Sequence, residues 1–225
     1  MIHNDKLYVS AMNGTFVMDL DTGEFKWLCR NAQNFTIDKE ENIWIMIGTS
    51  LIRIKLTDTD NQKKYFLPQY GIRFEPKRII TTNNGDIYFV VLGGGLYRYD
   101  KPSDSFIHYS QGSGHLLSNY CYNVAETNSG ELLVTSDKGI TFLNPSNENT
   151  RFVTLGANLP ITSIADGCGI LVCRNNELFV GGNDGLASFF REDLDQKEKN
   201  YSLYFSELYI HNKRIYPGAV SGGIL

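Results

Sequence analysis

Tyr122-Asn123-Val124-Ala125-Glu126-Thr127, then Asn128-Ser129-Gly130, then Glu131-Leu132-Leu133-Val134-Thr135 reads as strand, turn, strand. Ser136-Asp137-Lys138-Gly139 turns the chain into Ile140-Thr141-Phe142-Leu143, and Asn144-Pro145-Ser146-Asn147 leads to a fourth strand, Arg151-Phe152-Val153-Thr154. The turns hold Gly and Asn, which accept the positive φ of tight hairpins. The module recurs along the chain. The first apolar residue of its second strand is Leu7, Ile43, Ile87, Leu132 and Leu178, at separations of 36, 44, 45 and 46 residues. Gly14, Ser50, Gly95, Gly139 and Gly185 head the third strand, and Phe25, Tyr65, Phe106 and Phe152 mark the fourth. Four short strands repeating at ~40–45 residues are the pattern of β-propeller blades.

A blade is one twisted sheet that must bury both faces against its neighbours, so a blade alone is unstable. The alternation fits: Tyr97 and Tyr99 flank Arg98, and Ile52 and Ile54 flank Arg53. Trp44, Tyr88 and Phe179 stand just after the second-strand start, where they are expected to wedge between blades. The first copy begins at Lys6 and is expected to lack its innermost strand; no fourth strand is legible in the fifth copy. The predicted fold class is therefore all-β: about five four-stranded blades in a partial ring. The blades are expected over 1–199, the last over about 161–199. Bare end blades imply that another subunit, further blades or a second copy covers them, and a homo-oligomer is expected.

The formal net charge is −4, which disfavours nucleic acid as a partner. No run of about 18 apolar residues exists, so no direct membrane insertion by this segment is expected. Met1 to Lys6 has no apolar signal-peptide core, so a location outside the cytoplasm requires an export signal on sequence beyond this chain. Cys29, Cys121, Cys168 and Cys173 lack disulfide-framework or zinc spacing and read as buried free thiols. His3, His108, His115 and His211 are scattered, with no carboxylate partner expected and no metal site. Gly93-Gly94-Gly95 is not followed by a helix and Lys-Thr, and reads as a hairpin turn, not a phosphate cradle. No nucleophile elbow appears, no cofactor is implied and no catalytic residue is assigned.

Leu117-Ser118-Asn119, Val124 through Ile140, and Asn42-Ile43-Trp44-Ile45-Met46-Ile47-Gly48-Thr49 together resemble the two-component regulator propeller repeat. Gly181-Gly182-Asn183-Asp184-Gly185-Leu186 followed by Phe189 is similar to the last blade of that family. Tyr204 to Lys213 resembles the opening of the Ig-like sandwich that follows it, which implies the start of an Ig-like β-sandwich domain over 200–225. Leu133 and Tyr88 depart from the pattern, standing where tryptophan is usual. The resemblance implies a periplasmic region that senses carbohydrate for a histidine kinase and transcriptional regulation, and no enzyme in this chain. Two alternatives stand beside it: a propeller enzyme of sialidase or lyase type, and a protein-binding scaffold. Thr135 to Phe142 is similar to a sialidase Asp-box turn, but it occurs once and reads as the repeat's own turn.

Loops entering the inner strand and loops joining the second and third strands share one end of a propeller. An oligosaccharide ligand is bound by aromatic faces with amide and carboxylate hydrogen bonds. The candidate ligand-binding residues on that end are Arg78, Asn119, Tyr120, Asp137, Lys138, Asn183 and Asp184.

Overall fold

The computed structural model describes residues 1–11, 13–32, 34–156, 159–194, 208–211 and 213–215. The chain divides into two compact units, Met1–Leu194 and Asp195–Leu225. In the first, the strands are β1 (Ile2–His3), β2 (Lys6–Ala11), β3 (Gly14–Asp19), β4 (Phe25–Arg30), β5 (Asn34–Ile37), β6 (Asn42–Ile47), β7 (Ser50–Lys55) and β8 (Asp58–Phe66). There follow β9 (Pro76–Thr81), β10 (Ile87–Val91), β11 (Gly95–Asp100), β12 (Ser105–Tyr109), β13 (Cys121–Glu126), β14 (Leu132–Ser136), β15 (Gly139–Leu143) and β16 (Thr150–Thr154). β17 (Ile170–Val172), β18 (Glu177–Gly182) and β19 (Gly185–Phe190) close the unit. They form four antiparallel sheets of four consecutive strands and one of three. Inner strands β5, β9, β13 and β17 lie side by side in that order. These are β-propeller blades.

The repeat markers fall where the sequence puts them. Gly14, Ser50, Gly95, Gly139 and Gly185 each begin the third strand of their blade. The turn between first and second strands also repeats in atomic detail. Asp38, Thr82, Thr127 and Cys173 donate their N–H to the carbonyl four residues on, at 2.8–2.9 Å. The fourth residue of each turn, Glu41, Gly85, Gly130 or Asn176, has positive φ.

One expectation needs correction. Blade 1 does possess an inner strand, but β1 has only two residues, Ile2 and His3, paired with Leu7 and Lys6. Blade 5 has three strands among the described residues, in keeping with the fourth-strand pattern that its sequence lacks. After it, Arg191–Leu194 form one 3-10 turn with Leu194 buried. The second unit contributes the hairpin β20 (Leu208–Ile210) and β21 (Lys213–Ile215); the rest of the expected sandwich opening lies outside the described residues.

Side-chain alternation apportions each strand between two neighbours. In β6, Ile43 and Ile45 pack with Tyr8 and Val17 of blade 1, whereas Trp44 and Met46 pack with Ile79, Phe89 and Val91 of blade 3. In β10, Ile87, Phe89 and Val91 face blade 2, while Tyr88 and Val90 face blade 4. β14 sends Leu132 and Val134 to blade 3 and Leu133 to blade 5. Five blades thus share four apolar seams. Trp44 and Tyr88 are the expected wedges, both buried. Phe179 has the same position on the outer face of blade 5 and no described blade beside it.

A polar brace crosses the seam between blades 2 and 3. Asp104 accepts hydrogen bonds from Tyr65 (2.8 Å) and Tyr99 (2.7 Å) and pairs with Lys63. Burial alone would raise the Asp104 pKa, but the bonds from Lys63, Tyr99 and Tyr65 outweigh it and hold the carboxyl at about 2, below its ordinary 3.8. A carboxylate depressed in the folded state stabilises it above the ordinary value and loses that contribution as pH falls through the folded one. Asp104→Asn is therefore expected to lower the melting temperature at neutral pH, by the equivalent of about 1 kcal/mol for so exposed a group. The two melting curves should converge between about pH 4 and pH 2. A gap that persists at pH 2 would show that the charge is not what the brace uses.

Candidate functional site

Alternating strand directions place the connections β8–β9, β12–β13 and β16–β17 at one end of the blades, with the turns β10–β11, β14–β15 and β18–β19. Every predicted site residue lies on these connections or beside them. The structure gives them different roles.

Asn183 and Asp184 brace the loop that enters blade 5. Asp184 accepts from Thr162 N (2.9 Å) and Oγ1 (2.6 Å), and these bonds lower its pKa. Asn183 donates its backbone N–H to Ser163 O (3.0 Å) and its Nδ2 to Ser163 Oγ (3.1 Å). Asn119 performs the same service at blade 4: its Oδ1 accepts from Gln111 N (2.7 Å) and its carbonyl from Gly95 N (3.0 Å). Asp137 and Lys138 are exposed at their turn. Asp137 donates its N–H to the Tyr120 carbonyl (3.3 Å). Its charge also adds to burial in raising the pKa of Tyr122 and of the buried Cys121 thiol, the latter to about 12.

Tyr120 is 58% exposed, although it is a large aromatic. Gly93 lies beneath it with φ 77. A Cβ there would touch the Tyr120 ring at 3.8 Å and the Phe74 ring at 4.0 Å. Phe74, on the loop entering blade 3, is 57% exposed. The missing side chain of Gly93 therefore leaves a notch between two solvent-facing rings. Sequence reading picked out Tyr120 but not Phe74, because nothing in Arg73-Phe74-Glu75 tells of its meeting a turn some twenty residues later.

Two further groups were missed. Lys77 of β9 pairs with Asp166 on the loop entering blade 5, at 2.7 Å, so the bridge passes over the inner strand of blade 4. Lys77 and Tyr122 are the extra residues of matching β-bulges in β9 and β13. A bulge re-aims its side chain and leaves no compositional signature. The histidines also differ from expectation. His3 meets Glu41 at 2.8 Å and His115 lies 3.6 Å from Glu148, so both have carboxylate partners. His108 stacks on Tyr97 at 4.4 Å. Of the thiols, Cys121 is buried while Cys29, Cys168 and Cys173 are half-buried.

Arg78 lies in β9, exposed, beside a cavity of about 590 Å³ lined by Val9, Ser10, Asn34, Phe35, Thr36 and Ile80 among others. Burial lowers its pKa. Exposure and partial desolvation coexist because the guanidinium stands in a concave recess that water can enter.

No protein-family model and no curated protein matches this chain. Solved structures do. The chain is similar to the extracellular domain of the putative hybrid two component system BT3049 from B. thetaiotaomicron, with TM-score 0.71 and 18% identity over 84% of this chain. It spans 27% of that neighbour. It is similar to virginiamycin B lyase from Staphylococcus aureus, with TM-score 0.61 and 16% identity over 84% of this chain and 68% of the other. It also resembles YCF48, solved bound to D1 peptide, with TM-score 0.60 and 12% identity over 84% of this chain and 62% of the other. At such identities the likeness is one of fold, and the fold is the propeller.

Proposed function

We propose that these blades belong to the ligand-sensing, extracytoplasmic region of a two-component sensor histidine kinase, detecting a saccharide in the periplasm and passing the signal towards transcriptional control. The observation that carries the reading is the Phe74–Gly93–Tyr120 notch at the loop-bearing end of the blades. Exposed rings on a rigid scaffold suit the apolar face of a pyranose, while amide and hydroxyl groups satisfy its edge. The shared fold with the extracellular domain of BT3049 supports the sensing role. In the described residues no helix is long and apolar enough to cross a membrane.

The enzyme reading has the lyase fold behind it, and what weighs against it is the direction of the carboxylate shifts among the described residues. The carboxylates with shifted pKa, Asp19, Asp104 and Asp184, are all lowered, each by hydrogen bonds that brace a turn or seam. A general acid needs the opposite shift. A protein-binding scaffold remains the reading if glycans fail.

Thermal-shift screening of the chain against neutral and acidic oligosaccharides tests the proposal. A ligand at a hundred times its Kd should stabilise the fold by about 2.7 kcal/mol. Tyr120→Ala and Phe74→Ala should each remove most of that shift while leaving the unliganded melting temperature close to wild type, because both rings face solvent. If no glycan raises the melting temperature, the saccharide reading fails.

A further inference from the structure

The turns β5–β6, β9–β10 and β11–β12 lie at the end of the blades opposite the notch. Between them, at the mouth of the seam that joins blades 2 and 3, is a cavity of about 460 Å³. That volume falls within the range of about 300–1,000 Å³ usual for small-molecule sites. Blade 2 supplies Asn42, Trp44 and Arg53 to its walls, and blade 3 supplies Asn84, Asp86 and Tyr99. Three contacts tie the two walls together. Arg53 donates from Nη1 to the Tyr99 hydroxyl at 3.2 Å, and Lys101 pairs with Glu40. The stem of Lys39 lies over Gly85, where an added Cβ would come within 3.2 Å of its Cδ. The Arg53 guanidinium is also held over the ring of the buried Trp44, 5.6 Å from its centroid. Trp44 is fixed in turn by its Nε1, which donates to Asp38 at 2.8 Å.

Four Lys or Arg and four Asp or Glu line the cavity, so their formal charges cancel. Several are already answered. Glu40 has Lys101, Asp38 accepts from Asn42 and Trp44, and Asp100 accepts from Ser103. What stays open is a mixture of donors and acceptors. Arg53 makes one hydrogen bond among the described residues and keeps its other N–H groups free. Asn42 gives its amide N–H groups to Asp38, and its Oδ1 has no described donor. The Asp86 carboxylate accepts no hydrogen bond and pairs with no described cation; only its backbone is engaged, with Thr82. A bound ion selects groups of one sign. A set without net charge that donates at some points and accepts at others fits hydroxyls, each of which does both.

We propose that this seam cavity binds a neutral sugar unit, whose hydroxyls accept from Arg53 of blade 2 and donate to Asp86 of blade 3. The inference rests on the saccharide reading for its ligand class and extends it to a second site that shares no residue with the notch. The chain has two tryptophans, Trp27 and Trp44, so the indole N–H resonances of the isotope-labelled 225-residue chain report on the cavity through Trp44, with Trp27 as internal control. Titration with maltotriose, cellotriose, mannotriose and xylotriose should move the Trp44 signal with at least one of them and leave Trp27 in place. The affinity should not depend on added salt. Arg53→Gln and Asp86→Ala should each weaken it about tenfold or more. Asp86→Asn keeps an acceptor and should recover part of the loss; the Asp86 variants also serve if Arg53→Gln melts early. The same Trp44 shift is expected in Tyr120→Ala, which lacks the notch. A neutral sugar that raises the melting temperature without moving Trp44 overturns the seam site and leaves the saccharide reading standing, as does a Trp44 shift that vanishes in Tyr120→Ala. Affinity unchanged in both Arg53→Gln and Asp86→Ala overturns the site as well. Trigalacturonate binding more tightly than every neutral sugar overturns the neutral class. If no sugar moves either Trp44 or the melting temperature, the seam site and the saccharide reading both fall.

Discussion

Gly139→Ala is expected to lose about 3–4 kcal/mol of stability, about 2 kcal/mol more than the same change at the matching Gly185, which carries the backbone strain without the clash. Both residues head a third strand, so the repeat alone treats them as equivalent. Their surroundings differ. A Cβ on Gly139 would lie 2.1 Å from the carbonyl oxygen of Val153 and 3.1 Å from Thr154 Cα, because the fourth strand β16 passes directly beside it. Its φ of 143 adds backbone strain for any side chain, and the φ of 158 at Gly185 does the same. At Gly185 nothing lies within 4 Å of the added atom, and no fourth strand is described in blade 5. Gly14 repeats the crowded case, with Cys29 O at 2.2 Å. Blade 2 escapes by a different turn: Gly48, φ 50, takes the positive φ two residues early, and Ser50 can then head the strand. Denaturant melts of the two variants decide the matter. Equal midpoints would sink the claim that the glycine serves the fourth strand and not the turn.

The 225-residue chain by itself should associate through its end blades, and charges on the first face should abolish this. Cross-strand pairing sets Ile2, Leu7, Met18 and Phe25 in one row, and Val9, Phe16 and Trp27 in a second. Tyr8 and Val17, between them in sequence, face blade 2, so these two rows form the opposite side of the sheet. Phe25 is 70% and Trp27 41% exposed. On blade 5 the corresponding outer face carries the exposed Leu171, Leu186 and Phe190. Neither face has a described neighbour, yet both have the chemistry of the four buried seams. We expect head-to-tail contact between copies, which closes into a ring or runs on as a filament. Each large apolar side chain contributes about 1.5–3 kcal/mol on full burial. Phe25→Lys with Trp27→Glu should therefore weaken association by more than about a hundredfold. Sedimentation velocity over a concentration series reads the outcome. A wild-type chain that stays monomeric at high concentration contradicts the expectation, as does a double variant that assembles like wild type.

The Phe74–Gly93–Tyr120 notch shows where sequence reading ends. Tyr120 was legible because the repeat fixes which loops share an end. Phe74 was not, because its meeting with Gly93 depends on how two blades are stacked. Lys77 and Tyr122 were passed over because a bulge shifts register by one residue and turns a side chain that simple alternation would misplace. Asn183, Asp184 and Asn119 were chosen as polar loop residues. The structure spends their hydrogen bonds on the loops themselves, as turn asparagines and aspartates commonly do.

By itself the sequence determined the blades. Period-2 alternation within strands, glycine at third-strand heads and a spacing near 45 residues are local properties that each segment carries in its own composition. Only the tertiary structure decided which polar groups were left without partners. Val9, Asn34 and Arg78 are far apart in the chain, and their juxtaposition depends on three blades being packed about one axis. A hydrogen bond that is missing can be recognised only once every neighbour has been placed.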